Sequence, residues 1–309
     1  MTSPRGEQSV ARFVIVNGKV AHEDDVRSAV ERLREVAGKV TVRVTGGPGD
    51  ARRFGREAAH EGFGQVIACG GDGTINEIVS GLVPGFDGTL GIVPTGTAND
   101  FATCAGIPGG DPAAVAAALH GYDPVALDVG AVGGAAAGYF LNVATAGFGA
   151  EVSAEASEEL KAVLGRVSYL VAGLASPGDI KPREATIVAP EFERTVAFYL
   201  LAVGNARCAG GGLPICPDAD PTDGLFDVTI VPEGAVGATL AEIVRAGLEG
   251  VGEAAVRFRT SRLDVRANPS LQVNLDGEPA SGDHFRFEVR PRALRVLLPP
   301  DSPLRRTDD

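Results

Sequence analysis

The stretch Val66-Ile-Ala-Cys-Gly-Gly-Asp-Gly-Thr-Ile-Asn-Glu77 limits what this chain can fold into more than any other. Four apolar residues, Val66 to Cys69, have the length of a buried strand. Gly70, Gly71 and Gly73 interrupt it, and Ile75, Ile78, Val79 and Leu82 then recur at helical spacing. Thr74 and Glu77 form a T-x-x-E capping box, which predicts a helix starting at Thr74. A strand, a glycine turn and a helix N-terminus make an anion site. Backbone N–H groups point outward, the helix dipole is positive there, and no Cβ blocks a close phosphate.

One such turn can be a mere tight connection, but the chain carries a second. Residues 90–93, Leu-Gly-Ile-Val, read as another buried strand, followed by Pro94-Thr-Gly-Thr-Ala-Asn-Asp100 and a short helical stretch over 101–105. Two polar, glycine-bearing turns after successive strands can face one ligand across the carboxyl ends of a parallel sheet. Neither turn is a Walker loop or a G-x-G-x-x-G. Asp72 stands where a Walker loop has lysine. A carboxylate beside phosphate is repulsive unless a cation lies between them, so the pattern points to a Mg²⁺–nucleotide.

Around these turns the first half alternates strand and helix. Residues 12–17 form a first strand. A helix follows from Asp24 or Asp25 to a stop at Gly38, and Val40, Val42 and Val44 alternate in a strand ending at Thr45. Asp50 can cap the next helix, with Phe54 and Ala58 inward and Gly62 as its stop. Asp111-Pro112 starts another. This order predicts a parallel sheet with helices on both faces. After about Tyr122, strand-like runs follow one another: 127–132, 139–144, 185–188, 196–203, 225–231, 262–266, 271–275, 284–289 and 294–298. Helical patterns at 155–174 and 238–248 interrupt them. The expected architecture is α/β plus β: a doubly wound parallel α/β domain over 1–124 and an antiparallel β-sandwich domain over 125–298. A nucleotide cleft would lie between them, and 299–309 would be a frayed polar tail.

Three clusters in the second half invite chemical readings. Gly204-Asn205 with Gly210, Gly211 and Gly212 could let a phosphate approach, or form a hairpin. Asp218, Asp220 and Asp223 share one loop before Leu225, a carboxylate set suited to a hard cation, or an Asp-rich turn. Asn274-Leu-Asp-Gly-Glu278 carries an Asp-Gly hairpin signal. Asp276 or Glu278 at its tip could act as a general base against a metal-bound phosphate.

The net charge of −12 disfavours nucleic acid and anionic membrane as partners, and no stable protein partner is readable. Cys69, Cys104, Cys208 and Cys216 are widely spread with no C-x-x-C, so free thiols are expected. No apolar run approaches the ~20 residues of a spanning helix, and the first residues lack a signal-peptide pattern. The expected location is cytoplasmic, with any lipid reached by peripheral membrane contact.

Gly70-Gly-Asp-Gly-Thr-Ile-Asn-Glu77, Pro94-Thr-Gly-Thr-Ala-Asn-Asp-Phe101 and Asn274-Leu-Asp-Gly-Glu278, in this order, resemble the diacylglycerol-kinase-like lipid kinases, closest to the bacterial YegS-like lipid kinases. The likeness spans nearly the whole chain; Asn17-Gly-Lys19, Phe148-Gly149 and Gly165-Arg-Val-Ser-Tyr169 also carry it. It implies an ATP-dependent kinase that phosphorylates a lipid hydroxyl of diacylglycerol, phosphatidylglycerol or sphingoid type. Thr45, Gly71, Asp72, Gly73, Thr74, Ile75, Asn76, Glu77 and Thr97 would contact ATP, with Asn99 and Asp100 of the second turn beside them. Glu278 would be the proton acceptor with Asp276 beside it. A structural Mg²⁺ would sit on Asp220, Asp223 and Leu225, with Ca²⁺ as an alternative because Asp220 adds a carboxylate. Two further readings are an NAD kinase-like phosphorylation of a soluble hydroxyl compound and a non-catalytic nucleotide or lipid sensor. The apolar residues of 160–174 could face acyl chains or pack in a core.

Overall fold

The computed structural model describes residues 11–36, 39–147, 182–233 and 255–305. The stop at Gly38, the helical patterns at 155–174 and 238–248, Phe148-Gly149 and the 165–169 motif lie outside these residues.

The first half is built on β1 (Arg12–Val16), β2 (Val40–Val44), β3 (Gln65–Gly70) and β4 (Thr89–Pro94), paired in parallel in the order β4-β3-β1-β2. Helices α1 (Asp24–Val36), α2 (Asp50–His60) and α3 (Asp72–Leu82) connect these strands, and the short α4 (Asp100–Cys104) and α5 (Pro112–Ala118) follow β4. Phe13, Val14, Ile15, Val66, Ile67 and Cys69 are sealed from solvent, as strands covered on both faces require. Asp111 caps α5 as its sequence predicts, accepting from the Ala113 and Ala114 N–H groups at 2.9 and 3.2 Å.

Two helix starts differ from the local reading. α3 begins at Asp72, with Gly71 at the cap position and no side-chain cap. The Thr74-x-x-Glu77 box does not form because both side chains have partners elsewhere. Thr74 Oγ1 accepts from Asn17 Nδ2 at 2.8 Å. The Glu77 carboxylate accepts the N–H groups of Gly49, Ala51 and Arg52 at 2.7, 3.1 and 3.3 Å. Glu77 thus caps α2, where Gly49 sits at φ 84° and Asp50 instead binds the Gly46 and Gly47 N–H groups. α2 and α3 lie with backbones in contact: a Cβ on Gly81 would stand 2.3 Å from the Arg52 carbonyl oxygen, and one on Gly55 2.8 Å from that of Ile78.

The second half comprises β5 (Asp123–Gly134), β6 (Gly138–Phe140), β7 (Val143–Gly147), β8 (Arg183–Ala189), β9 (Phe192–Gly204), β10 (Cys208–Ala209), β11 (Leu213–Pro214), β12 (Phe226–Pro232), β13 (Val256–Thr260), β14 (Arg262–Leu275) and β15 (Glu278–Leu298). The run at 139–144 splits at Leu141–Asn142. The four runs from 262 to 298 merge into two long strands, with register shifts between Arg266 and Leu271 and between Arg290 and Leu294. β13 is a strand beyond the runs expected above, although Val256 and Phe258 alternate with Arg257 and Arg259. Phe140, Phe198, Phe226, Phe285 and Phe287 fill the core of this antiparallel half, with Phe140 stacked on Phe226 at 5.6 Å. The α/β-plus-β class holds.

β15 links the halves. It pairs with β14 over its first part, with β5 from Phe285 to Leu298, and with β4 in parallel at Arg295 and Val296. Its end, together with Leu127 and Val129, completes the core of the first half. The described part of the tail is packed rather than frayed. Leu304 and Ser302 are buried, Leu304 joins that same core, and Arg305 bonds Asp123 at 2.8 Å and the Leu298 carbonyl at 3.2 Å.

Candidate active site

The two glycine turns meet at the carboxyl ends of β3 and β4. A Cβ on Gly96 would stand 2.5 Å from Gly71 Cα, so the backbones touch. Asn99, at φ 49°, closes the second turn by accepting from the Gly96 N–H at 3.0 Å and donating to the Gly96 carbonyl at 2.7 Å. Asn17 and Gly18, after β1, join from the side. Asn17 holds Thr74, and the Gly18 N–H donates to Thr45 Oγ1 at 2.9 Å.

The rear hairpin reaches the same place. A Cβ on Gly73, in the first turn of α3, would lie 2.7 Å from Glu278 Oε1. The Glu278 carboxylate therefore rests on the N-terminus of α3, where N–H groups and the helix dipole favour negative charge. Glu278 is solvent-exposed. Asp276 sits in the turn with φ 49°, followed by Gly277 at φ 97°. Its carboxylate accepts the N–H groups of Leu141, Asn142 and Val143 at 2.6, 3.0 and 3.0 Å. Burial pushes this carboxyl up to about 7, the three N–H donors pull it down, and the charge of Asp72 adds to the rise. Asp276 pins the β6–β7 junction, while Glu278 faces the cradle.

The other predicted residues divide by their partners. Asp72 opens α3, buried, and accepts the Phe101 N–H at 3.4 Å. Thr97 is exposed at the mouth. Ile75 is in the core, and Asn76 donates to the Tyr139 carbonyl at 2.7 Å, tying α3 to β6. Asp100 accepts the N–H groups of Gly210, Gly211 and Gly212 at 2.9, 2.6 and 2.7 Å. The triple glycine is thus an anion-binding nest filled by the protein's own carboxylate.

Comparison with known proteins follows the same division. Residues 12–132 match the diacylglycerol kinase catalytic domain, and residues 142–298 match the YegS C-terminal NAD kinase beta sandwich-like domain. A Pseudomonas aeruginosa protein named "Probable lipid kinase YegS-like" is 46% identical over 297 residues, covering 95% of this chain and 96% of that protein. The chain belongs to the YegS-like lipid kinase family. It is accordingly an enzyme of the kinase class. A diacylglycerol kinase from Bacillus anthracis shares the fold with a TM-score of 0.77 at 24% identity, covering 95% of this chain and 98% of that one. An NAD kinase from Archaeoglobus fulgidus, solved in complex with ATP, shares it with a TM-score of 0.52 at 13% identity, covering 93% and 92%.

In this YegS-like chain one buried acid carries no motif. Asp128 lies in β5, 1% exposed. It accepts the Gly224 and Arg292 N–H groups, each at 2.7 Å. Burial first, and the charges of Asp223 and Asp220 after it, push its carboxyl up. The sequence signal for it was a lone acid inside an apolar strand run. Asp128, Asp220 and Asp223 are hard-oxygen donors of the kind Mg²⁺ or Ca²⁺ takes, and each has at least one carboxylate oxygen engaged by the protein. Asp220 accepts the Thr222 N–H and hydroxyl at 2.9 and 2.6 Å. Asp223 accepts the Leu225 N–H at 2.9 Å and pairs with Arg259. Among the described residues no group of three or more His, Cys, Asp or Glu is placed to hold an ion. As arranged, Arg259 occupies the Asp223 oxygen that a cation would need.

Proposed function

We propose that this protein transfers the γ-phosphoryl group of ATP to a hydroxyl of a lipid of the diacylglycerol, phosphatidylglycerol or sphingoid type. The observation that carries this reading is the Glu278 carboxylate lying against Gly73 at the N-terminus of α3. The phosphates would rest on the N–H groups of the Gly71–Gly73 turn, with Thr45 and Thr97 at its sides. The lipid oxygen attacks the γ-phosphorus, the bond to the ADP oxygen breaks, and the hydroxyl proton passes to Glu278. Asp72 supplies a hard carboxylate beside the cradle, which suits a divalent cation carried by the nucleotide; such a cation neutralises triphosphate charge. Positioning and electrostatics do most of the work.

Among the described residues no helix is long and apolar enough to cross a membrane. We read the enzyme as cytoplasmic, meeting its lipid by peripheral contact. We also assign 1–124 to nucleotide binding and 125–298 to the acid and lipid side. The test is a lipid panel in mixed micelles with ATP labelled in its γ-phosphate, followed by organic extraction. Label moving into the organic phase supports the reading. Label transferred only to water-soluble acceptors, as an NAD kinase would give, or ATP binding without turnover, overturns it.

A further inference from the structure

Two of the four thiols meet where the halves of the molecule are clasped. Cys104 ends α4 and is buried at 7% exposure. Cys208 opens β10 and is partly exposed. α4 packs against β10, which brings the Cys104 thiol within interaction range of the Cys208 thiol and of the Arg207 and Cys208 N–H groups. Neighbours on both elements hold them together. Asp100, at the start of α4, takes the N–H groups of Gly210, Gly211 and Gly212 just beyond Cys208. Gly212 lies against Thr103, where a Cβ would stand 3.4 Å from Cγ2. This clasp keeps α4 against β10. Cys69 and Cys216 are fully buried, and burial pushes each up to about 12, which makes them inert.

We propose that Cys208 and Cys104 form a peroxide-reactive dithiol, with Cys208 as nucleophile and Cys104 as resolving thiol, that closes to a disulfide across the two halves. The pair is asymmetric first in access: Cys208 is partly exposed, whereas Cys104 is buried. The Cys104 S–H bond, and more weakly Arg207, hold Cys208 below the usual thiol range against burial and the Asp100 charge. The same hydrogen bond, and then burial, push Cys104 up. Cys208 thiolate attacks one oxygen of a hydroperoxide. The O–O bond breaks, the leaving oxygen departs as water or alcohol after protonation, and Cys208 becomes a sulfenic acid. Cys104 sulfur then displaces hydroxide from the Cys208 sulfur. The Cys104 proton and that hydroxide leave as water, so two thiols give two electrons to one hydroperoxide. The product fixes α4, which follows the second glycine turn, to β10. The chemistry stands independently of the proposed kinase reaction.

The experiment uses the reduced full-length protein, hydrogen peroxide, denaturing alkylation and peptide mass mapping. The expected result is loss of two alkylatable thiols, a peptide joining Cys104 to Cys208, and a raised thermal midpoint that dithiothreitol reverses. Cys104→Ser should stop at a dimedone-reactive Cys208. Cys208→Ser should leave the remaining thiols unoxidised under the same exposure. A wild-type protein that retains four alkylatable thiols, or that links any other pair, overturns the proposal. If Cys104→Ser does not fold, the alkylation rate of Cys208 in the native wild type decides the nucleophile. A rate above that of glutathione at neutral pH supports the assignment, and a lower one overturns it.

Discussion

Glu278 and Asp276 are two residues apart and have opposite surroundings. Glu278 sits exposed over the α3 N-terminus, so Glu278→Gln should lower kcat by about 10²-fold or more with little change in ATP binding. Steady-state kinetics with a nucleotide-binding titration check this; near-normal turnover would remove Glu278 from the reaction. Asp276 is held by three backbone donors. Asp276→Ala leaves those N–H groups unpaired in a buried junction, at a cost of about 2–4 kcal/mol by urea unfolding. Its carboxyl, raised to about 7, lies above the ~3.9 of an unfolded aspartate. The folded state therefore binds the extra proton between those values. The stability this group adds is complete below about pH 4 and is lost as pH rises through about 7. Asp276→Asn should flatten that slope, and a slope unchanged in the variant contradicts it. The hairpin tip was legible in the sequence because Asp-Gly at consecutive positive φ is a local signal. The partners of Asp276 were not legible, because they lie 133 to 135 residues away.

At the scale of elements, α3 shows where local signals mislead. Thr74-x-x-Glu77 is a good capping box on paper, yet Glu77 serves the neighbouring helix and Gly71 starts its own. Tertiary competition for one carboxylate decided the boundary. Glu77→Ala should therefore weaken α2 by about 1 kcal/mol, as loss of a helix cap does, seen as faster amide exchange at Ala51 and Arg52 than in α1. The glycines that let α2 and α3 touch were equally unreadable, since each lies in an ordinary helical pattern. Gly81→Ala would press a methyl group into the Arg52 carbonyl. We expect a loss of about 1–3 kcal/mol from overpacking, measured as a fall in Tm. An unchanged Tm would mean the helices have room to part. Gly210, Gly211 and Gly212 read as either a phosphate seat or a hairpin; they form the loop of the β10–β11 hairpin, and the N–H groups of that loop seat Asp100.

For the whole molecule, the fold class was legible because all-apolar strands separated by helices and then alternating strands declare two kinds of sheet. Their continuity was not. Asn268-Pro269 and Pro291-Arg292 look like turn residues, but they fall at register shifts inside β14 and β15. The core of the first half also draws on Leu127, Val129, Leu294, Val296 and Leu304. A fragment of residues 1–124 lacks all five and leaves β4 without its β15 neighbour, so it should be largely unfolded by circular dichroism, whereas the intact chain should unfold in one cooperative transition. A well-folded fragment would show that the halves are energetically separate. β15 begins at the acid and ends beside the strand that feeds the second glycine turn. With one strand running through both regions, we expect the spacing between Glu278 and the glycine turns, the proposed acceptor and phosphate seat, to follow how far that ribbon coils. On that reading, bringing donor and acceptor together is a matter of torsion along a sheet.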